Sequence, residues 1–195
     1  MRVLLALALA LLTPSLAFAH TGLDHGAGLF HGLAHPIGGL DHILAMVAVG
    51  VFAFVLGGRA LVLVPLAFVG MMLVGFALGL GQVDLPFVEL GIALSSVVIG
   101  AAAAWGKPMP VAAAMSLVGL FATFHGHAHG AEMPADSSGL SYALGFAAST
   151  ALLHLAGIAA AFGITKLVTR YSQTAARVAG AGFALGGLGV LAGWL

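Results

Sequence analysis

Cysteine is absent from the chain, which excludes a disulfide framework, an iron–sulfur cluster, a thiolate metal site and a cysteine nucleophile. Any metal ion must be held by nitrogen and oxygen. Charge is nearly as scarce: 6% of the 195 residues are Asp, Glu, Lys or Arg, against about 25% in an ordinary soluble domain. Six acidic and six basic residues cannot give a water-facing shell to a chain that is 62% hydrophobic, so the apolar surface must face lipid. Their even balance excludes a nucleic-acid partner, which needs a concentrated positive field. No GxxxxGK[ST] loop occurs, so the chain has no phosphate-binding site for ATP hydrolysis.

What remains reads as an all-α integral membrane protein, a six-helix transmembrane bundle behind a cleaved signal peptide. Arg2, the apolar stretch from Val3 to Leu12 and the small-x-small sequence Ala17-Phe18-Ala19 form a signal peptide over residues 1–19. Pro14 and Ser15 interrupt that stretch short of the ~20 residues a span needs. The mature domain, 20–195, then begins at His20. Six apolar runs follow, at about 36–56, 60–80, 86–105, 108–127, 139–164 and 174–195, each able to cross ~30 Å as helix. With the mature N-terminus outside, Arg59, Lys107, Lys166, Arg170 and Arg177 all fall in inner loops, while Asp84, Glu132 and Asp136 fall in outer ones. Every mature basic residue is then inside, as the positive-inside rule requires. This reading puts the protein in the bacterial inner membrane with both mature termini in the periplasm. Trp105, Tyr142, Tyr171 and Trp194 fall near span ends, where amphipathic rings favour the interface. Gly75 with Gly79 and Gly182 with Gly186 have the four-residue spacing that lets helix backbones meet. Met46, Met71, Met72 and Met115 read as packing.

Nine histidines stand out against this background, and they are bunched. Asp41, His42, Glu89 and the run from His125 to His129 converge on the outer half of the predicted bundle. An ionisable group in a span costs at least ~2.5–3.5 kcal/mol and normally marks an ion path or relay. In His35-Pro36-Ile37-Gly38-Gly39-Leu40-Asp41-His42, Pro36 suits the first helical position, which places His35 at the cap. His35 and His42, seven apart, return to one helix face, and Asp41 adds charge or orients a ring. A capping His beside a buried Asp–His hydrogen bond is the structural alternative. In Phe124-His125-Gly126-His127-Ala128-His129-Gly130-Ala131-Glu132, His125, His129 and Glu132 share a face if the helix continues, and His127 points elsewhere. The alternative there is a His-rich outer loop. Phe30-His31-Gly32-Leu33-Ala34-His35 matches Phe124 to His129 at five of six positions, which suggests two related half-sites with His31 in the part of His125. His154 lies about 14 residues into its span, roughly 21 Å down by helical rise, on an inward path or packed against a carbonyl.

The chain resembles the HupE/UreJ family of bacterial nickel permeases. The resemblance rests on His35-x5-Asp41-His42 and on Phe124-His125-Gly126-x-Ala128-His129-x-x-Glu132, together with the signal peptide and the span count. It implies uptake of Ni2+, or in some members Co2+, across the cytoplasmic membrane to supply hydrogenase or urease. It also implies metal binding by His35, Asp41, His42, His125, His129 and Glu132; His31, Glu89, His127 and His154 are candidates from position alone. The ion is cargo, and no prosthetic group is expected. Imidazole and carboxylate without sulfur suit Ni2+, Co2+ or Zn2+ and disfavour Cu(I). The rival readings are an intramembrane zinc hydrolase built on His125, His129 and a carboxylate with Ser95 or Ser96 nearby, and a metal-buffering subunit. Homo-oligomerisation is left open.

Overall fold

The computed structural model describes residues 25–134, 137–167 and 172–194. The signal-peptide reading, with His20 and Asp24, and the placements of Asp136, Arg170 and Tyr171 lie outside the described residues. The described chain is helical: α1 His25–Gly38, α2 Leu40–Leu56, α3 Ala60–Leu80, α4 Val88–Trp105, α5 Val111–Ala131, α6 Gly139–Leu167 and α7 Ser172–Leu191. No strand occurs among the described residues. In hydrocarbon every backbone polar group must be bonded within its own segment, and a helix achieves that. Large apolar side chains such as Val62, Leu66, Leu140 and Leu185 point outward and are exposed, as lipid contact requires.

Among the described residues five helices are long and apolar enough to cross a membrane, α3 to α7. The first expected span differs. The run from 36 to 56 is not one helix beginning at Pro36: α1 carries Pro36 inside it and ends at Gly38, and α2 starts afresh at Leu40 after an extended Gly39. The two helices meet at 84°, the geometry of a broken span or of a re-entrant loop. Proline cannot donate the hydrogen bond that its turn requires, and two glycines follow at once, so the chain breaks two residues after the proline rather than starting there.

Leu40–Leu56 is the hub, packing against each of the other six helices. The most extensive pair is α3 with α5. Gly75 and Gly79 face the carbonyls of Thr123 and His127, while Gly126 and Gly130 face those of Met72 and Phe76. A Cβ at any of the four would meet facing backbone, so glycine sets the helix separation. Gly75 and Gly79 thus behave as their spacing predicts. Gly182 and Gly186 do not: Gly182 faces open space and Gly186 meets only the Leu44 side chain, while Gly180 and Gly187 make the close contacts of α7 with α4.

Candidate metal site

The break at Gly39 builds one half of the site. His35 sits in the last turn of α1, Asp41 and His42 in the first turn of α2, and the bend brings the imidazoles of His35 and His42 to 6.3 Å between centroids. The expectation that they share one face of a single helix is corrected: they stand on two helices and meet around a corner. Glycine at that corner leaves room for the Asp41 carboxylate and the His42 ring, which a Cβ on Gly39 would crowd.

The other half comes from α5. Its helix runs through Gly130 to Ala131, placing His125 and His129 one turn apart, 0% and 1% exposed. His129 lies 4.7 Å from His35 and 4.9 Å from His42, and His125 lies 4.9 Å from His42, centroid to centroid. Four imidazoles from three helices therefore form one contiguous cluster, opening on a pocket lined by His35, Gly38, Gly39, Asp41 and His42. Glu132 caps α5 at the mouth, its carboxylate 4.0 Å from His35 Nε2. As the side chains stand, no three His, Asp or Glu among the described residues form a ready metal site. The rings pack edge to face, with interplanar angles of 66–85° across the cluster, so sharing an ion requires them to turn about their side-chain torsions.

Two contacts fix the polarity of these rings. Asp41 Oδ1 lies 3.0 Å from His42 Nδ1; a carboxylate accepts, so Nδ1 carries the proton and Nε2 keeps its lone pair. Ser95, a buried residue of α4, does the same for His125. Its hydroxyl donates its one hydrogen to the Ile92 carbonyl, so at 2.9 Å from His125 Nε2 it accepts from the ring. His125 Nδ1 is left with the lone pair. Both freed nitrogens, His42 Nε2 and His125 Nδ1, are buried without a hydrogen-bond partner, as are both nitrogens of His129. Sequence reasoning weighed Ser95 only as a neighbour for a hydrolase. Its hydroxyl proton is committed elsewhere and its partner ring donates rather than accepts, which is the wrong polarity for a nucleophile. Ser96 turns the other way, against Gly187.

Apolar rings wall the cluster. Phe146 lies 4.7 Å from His129, and Tyr142 lies 6.2 Å from His35 and stacks with Phe76. Tyr142 is 1% exposed, so the expectation of an interfacial ring is corrected for it; Trp105 and Trp194 are exposed.

The remaining candidates fall outside the cluster. His127 points away and bonds the Val83 carbonyl at 2.7 Å, beside a separate cavity of about 340 Å³ that Asp84 also lines. Glu89 and His31 are exposed and join none of the cluster's contacts. The repeated hexapeptides correspond differently from the expectation: their last histidines, His35 and His129, meet in the cluster, whereas His31 has no counterpart role to the buried His125. Their glycines do correspond, Gly32 lying against the Tyr142 carbonyl of α6 and Gly126 against the Met72 carbonyl of α3. His154 is buried below the cluster, its ring 5.0 Å from Phe68.

The sequence profile of the HupE / UreJ protein family matches residues 7–190. The chain belongs to the HupE/UreJ family. It is 46% identical over 185 residues to "Protein HupE" of Rhizobium leguminosarum bv. viciae, covering 94% of each chain. The family is associated with nickel and cobalt transport for hydrogenase and urease, and the chain is an integral membrane protein of this transporter-type family. No solved structure matches it.

Proposed function

We propose that the chain imports Ni2+, with Co2+ as its nearest competitor, across the bacterial cytoplasmic membrane, capturing the ion at His35, His42, His125 and His129. One observation carries this reading: buried imidazole nitrogens without partners on three rings of one cluster, two of which are held in the lone-pair state by Asp41 and Ser95. A buried polar atom left unpaired costs about 1–3 kcal/mol, and several in one place make sense only where something binds them. Neutral imidazole is a ligand for borderline divalent ions. Asp41 lies at the cluster edge and Glu132 at its mouth, where each supplies negative charge to an arriving cation.

The orientation follows from loop charge. By the positive-inside rule, Arg59, Lys107, Lys166 and Arg177, at the end of the bundle opposite the cluster, favour the cytoplasmic side; on this reading the cluster opens to the periplasm. An inside-negative potential favours entry of two positive charges by ~4.6 kcal/mol per 100 mV, on the order of a thousandfold accumulation. Import then requires no ATP.

Proteoliposomes containing only this chain test the reading. With an imposed inside-negative potential they should take up Ni2+ saturably, and His42→Ala or His129→Ala should nearly abolish uptake. Binding without transport in the wild-type chain, at every pH and potential, would reject the permease in favour of a buffer.

A further inference from the structure

One buried imidazole is not used by the capture cluster. His154, on α6, is 1% exposed, and neither of its ring nitrogens has a hydrogen-bond partner. The ring of Phe68 lies between it and His125 of the cluster. The centroid of Phe68, from α3, lies 5.8 Å from that of His125 and 5.0 Å from that of His154, the latter edge-on at 83°. Polar groups continue along α6 on the cluster side: Thr150 is buried one turn earlier, its hydroxyl aimed at Met72 Sδ at 3.6 Å, and the Ser149 hydroxyl is buried without a partner. Packing alone does not explain a histidine here. The surrounding core is built of Val, Phe, Met and Ala, and an apolar side chain would fill the space without an unpaired polar ring.

We propose that His154 is a second, transient cation station inward of the capture cluster, and that Phe68 is the gate ring between them. The proposal rests on the permease reading above. An ion leaves His125 when Phe68 turns aside and is met by a His154 nitrogen, with Thr150 and Ser149 as oxygen donors. One imidazole with neutral oxygens holds a divalent ion far more weakly than four imidazoles do, and weak multi-site binding is what conduction needs. The face of Phe68 adds a favourable surface for a passing cation.

The absence of cysteine gives a direct test with Co2+ as the probe. In His154→Cys the only thiol of the full-length chain stands at the proposed station. Purified protein mixed with Co2+ should develop the visible d–d absorption of the capture cluster and, after it, the near-ultraviolet thiolate-to-Co2+ charge-transfer band. Adding Phe68→Leu should speed the second band by ~10-fold or more, the rate change of a gate barrier lowered by about 1.4 kcal/mol. His154→Ala should keep wild-type d–d absorption yet take up Ni2+ at least ~10-fold more slowly in proteoliposomes. Cluster absorption with no thiolate band in His154→Cys, or wild-type uptake by His154→Ala, would overturn the inner station and leave the capture site standing. A thiolate band whose growth ignores Phe68→Leu would overturn the gate. Wild-type protein with no Co2+ absorption at all would overturn the capture reading and the station with it.

Discussion

A histidine binds metal only through a nitrogen that carries no proton, so the two groups that choose the tautomer matter as much as the rings. Asp41 holds His42 and Ser95 holds His125 in the competent form. Asp41→Asn keeps the shape but loses the charge, and Ser95→Ala releases the ring it orients; each should weaken Ni2+ binding by ~10-fold or more, read by titration calorimetry in detergent. Wild-type affinity in Ser95→Ala would remove its orienting role. Protons compete for the same lone pairs, and an imidazolium cannot ligate. Lowering external pH from about 7.5 to about 5.5 should therefore weaken, and not strengthen, apparent affinity. If proton entry drives uptake, the maximal rate at saturating nickel rises over the same range, so saturating and sub-saturating uptake must be measured separately. At this scale the sequence was informative about the four clustered histidines, because imidazoles in an apolar bundle are conspicuous by residue type alone. Ser95 was not legible in that role, since a serine in a span is commonplace and only its double contact gives it meaning. His31 and Glu89 stand apart from the cluster, which their positions in the chain do not reveal, because position does not say which way a side chain turns.

Glycine lets helices in this bundle approach closely, and the consequence is testable residue by residue. A Cβ on Gly126 would meet the Met72 carbonyl, whereas Gly182 faces open space. Gly126→Ala should cost ~1–3 kcal/mol as overpacking, and Gly182→Ala should be neutral or slightly stabilising through helix propensity; thermal melts of the two variants in detergent provide the check. The α3 to α7 spans were readable from hydropathy to within a few residues at most ends, because length and apolarity decide which segments cross. The corner at Gly39 was not. Pro36 is compatible with a helix start and with a weakened last turn, and the choice was made by Gly38 and Gly39, which a composition window counts as unremarkable. The close contacts of Gly180 and Gly187 were likewise invisible, since small-residue spacing recurs along α7 and only the partner helix selects among its faces.

For the molecule as a whole, orientation and maturation are the first things to measure. Reporter fusions at Gly139 and Lys107 should report opposite sides of the membrane, Gly139 the periplasm; agreement between them would break the six-span arrangement. Mass spectrometry of the mature protein should begin at His20, and a retained Met1 would contradict cleavage. Beyond these, the corner between α1 and α2 ties chemistry to the surrounding lipid. The straight helix that follows the corner, Leu40–Leu56, has 17 residues, about 25 Å of helix, short of a hydrocarbon core of about 30 Å. A thicker bilayer pulls on such a segment and favours opening the 84° bend, yet that bend is what brings His35 to His42. Bend angle and ion affinity are then two readings of one equilibrium, and each must act on the other by the same factor. Ni2+ affinity should fall as acyl chains lengthen across a series of nanodiscs, and bound nickel should in turn make the protein prefer the thinner discs, so that the membrane itself acts as an effector of metal capture.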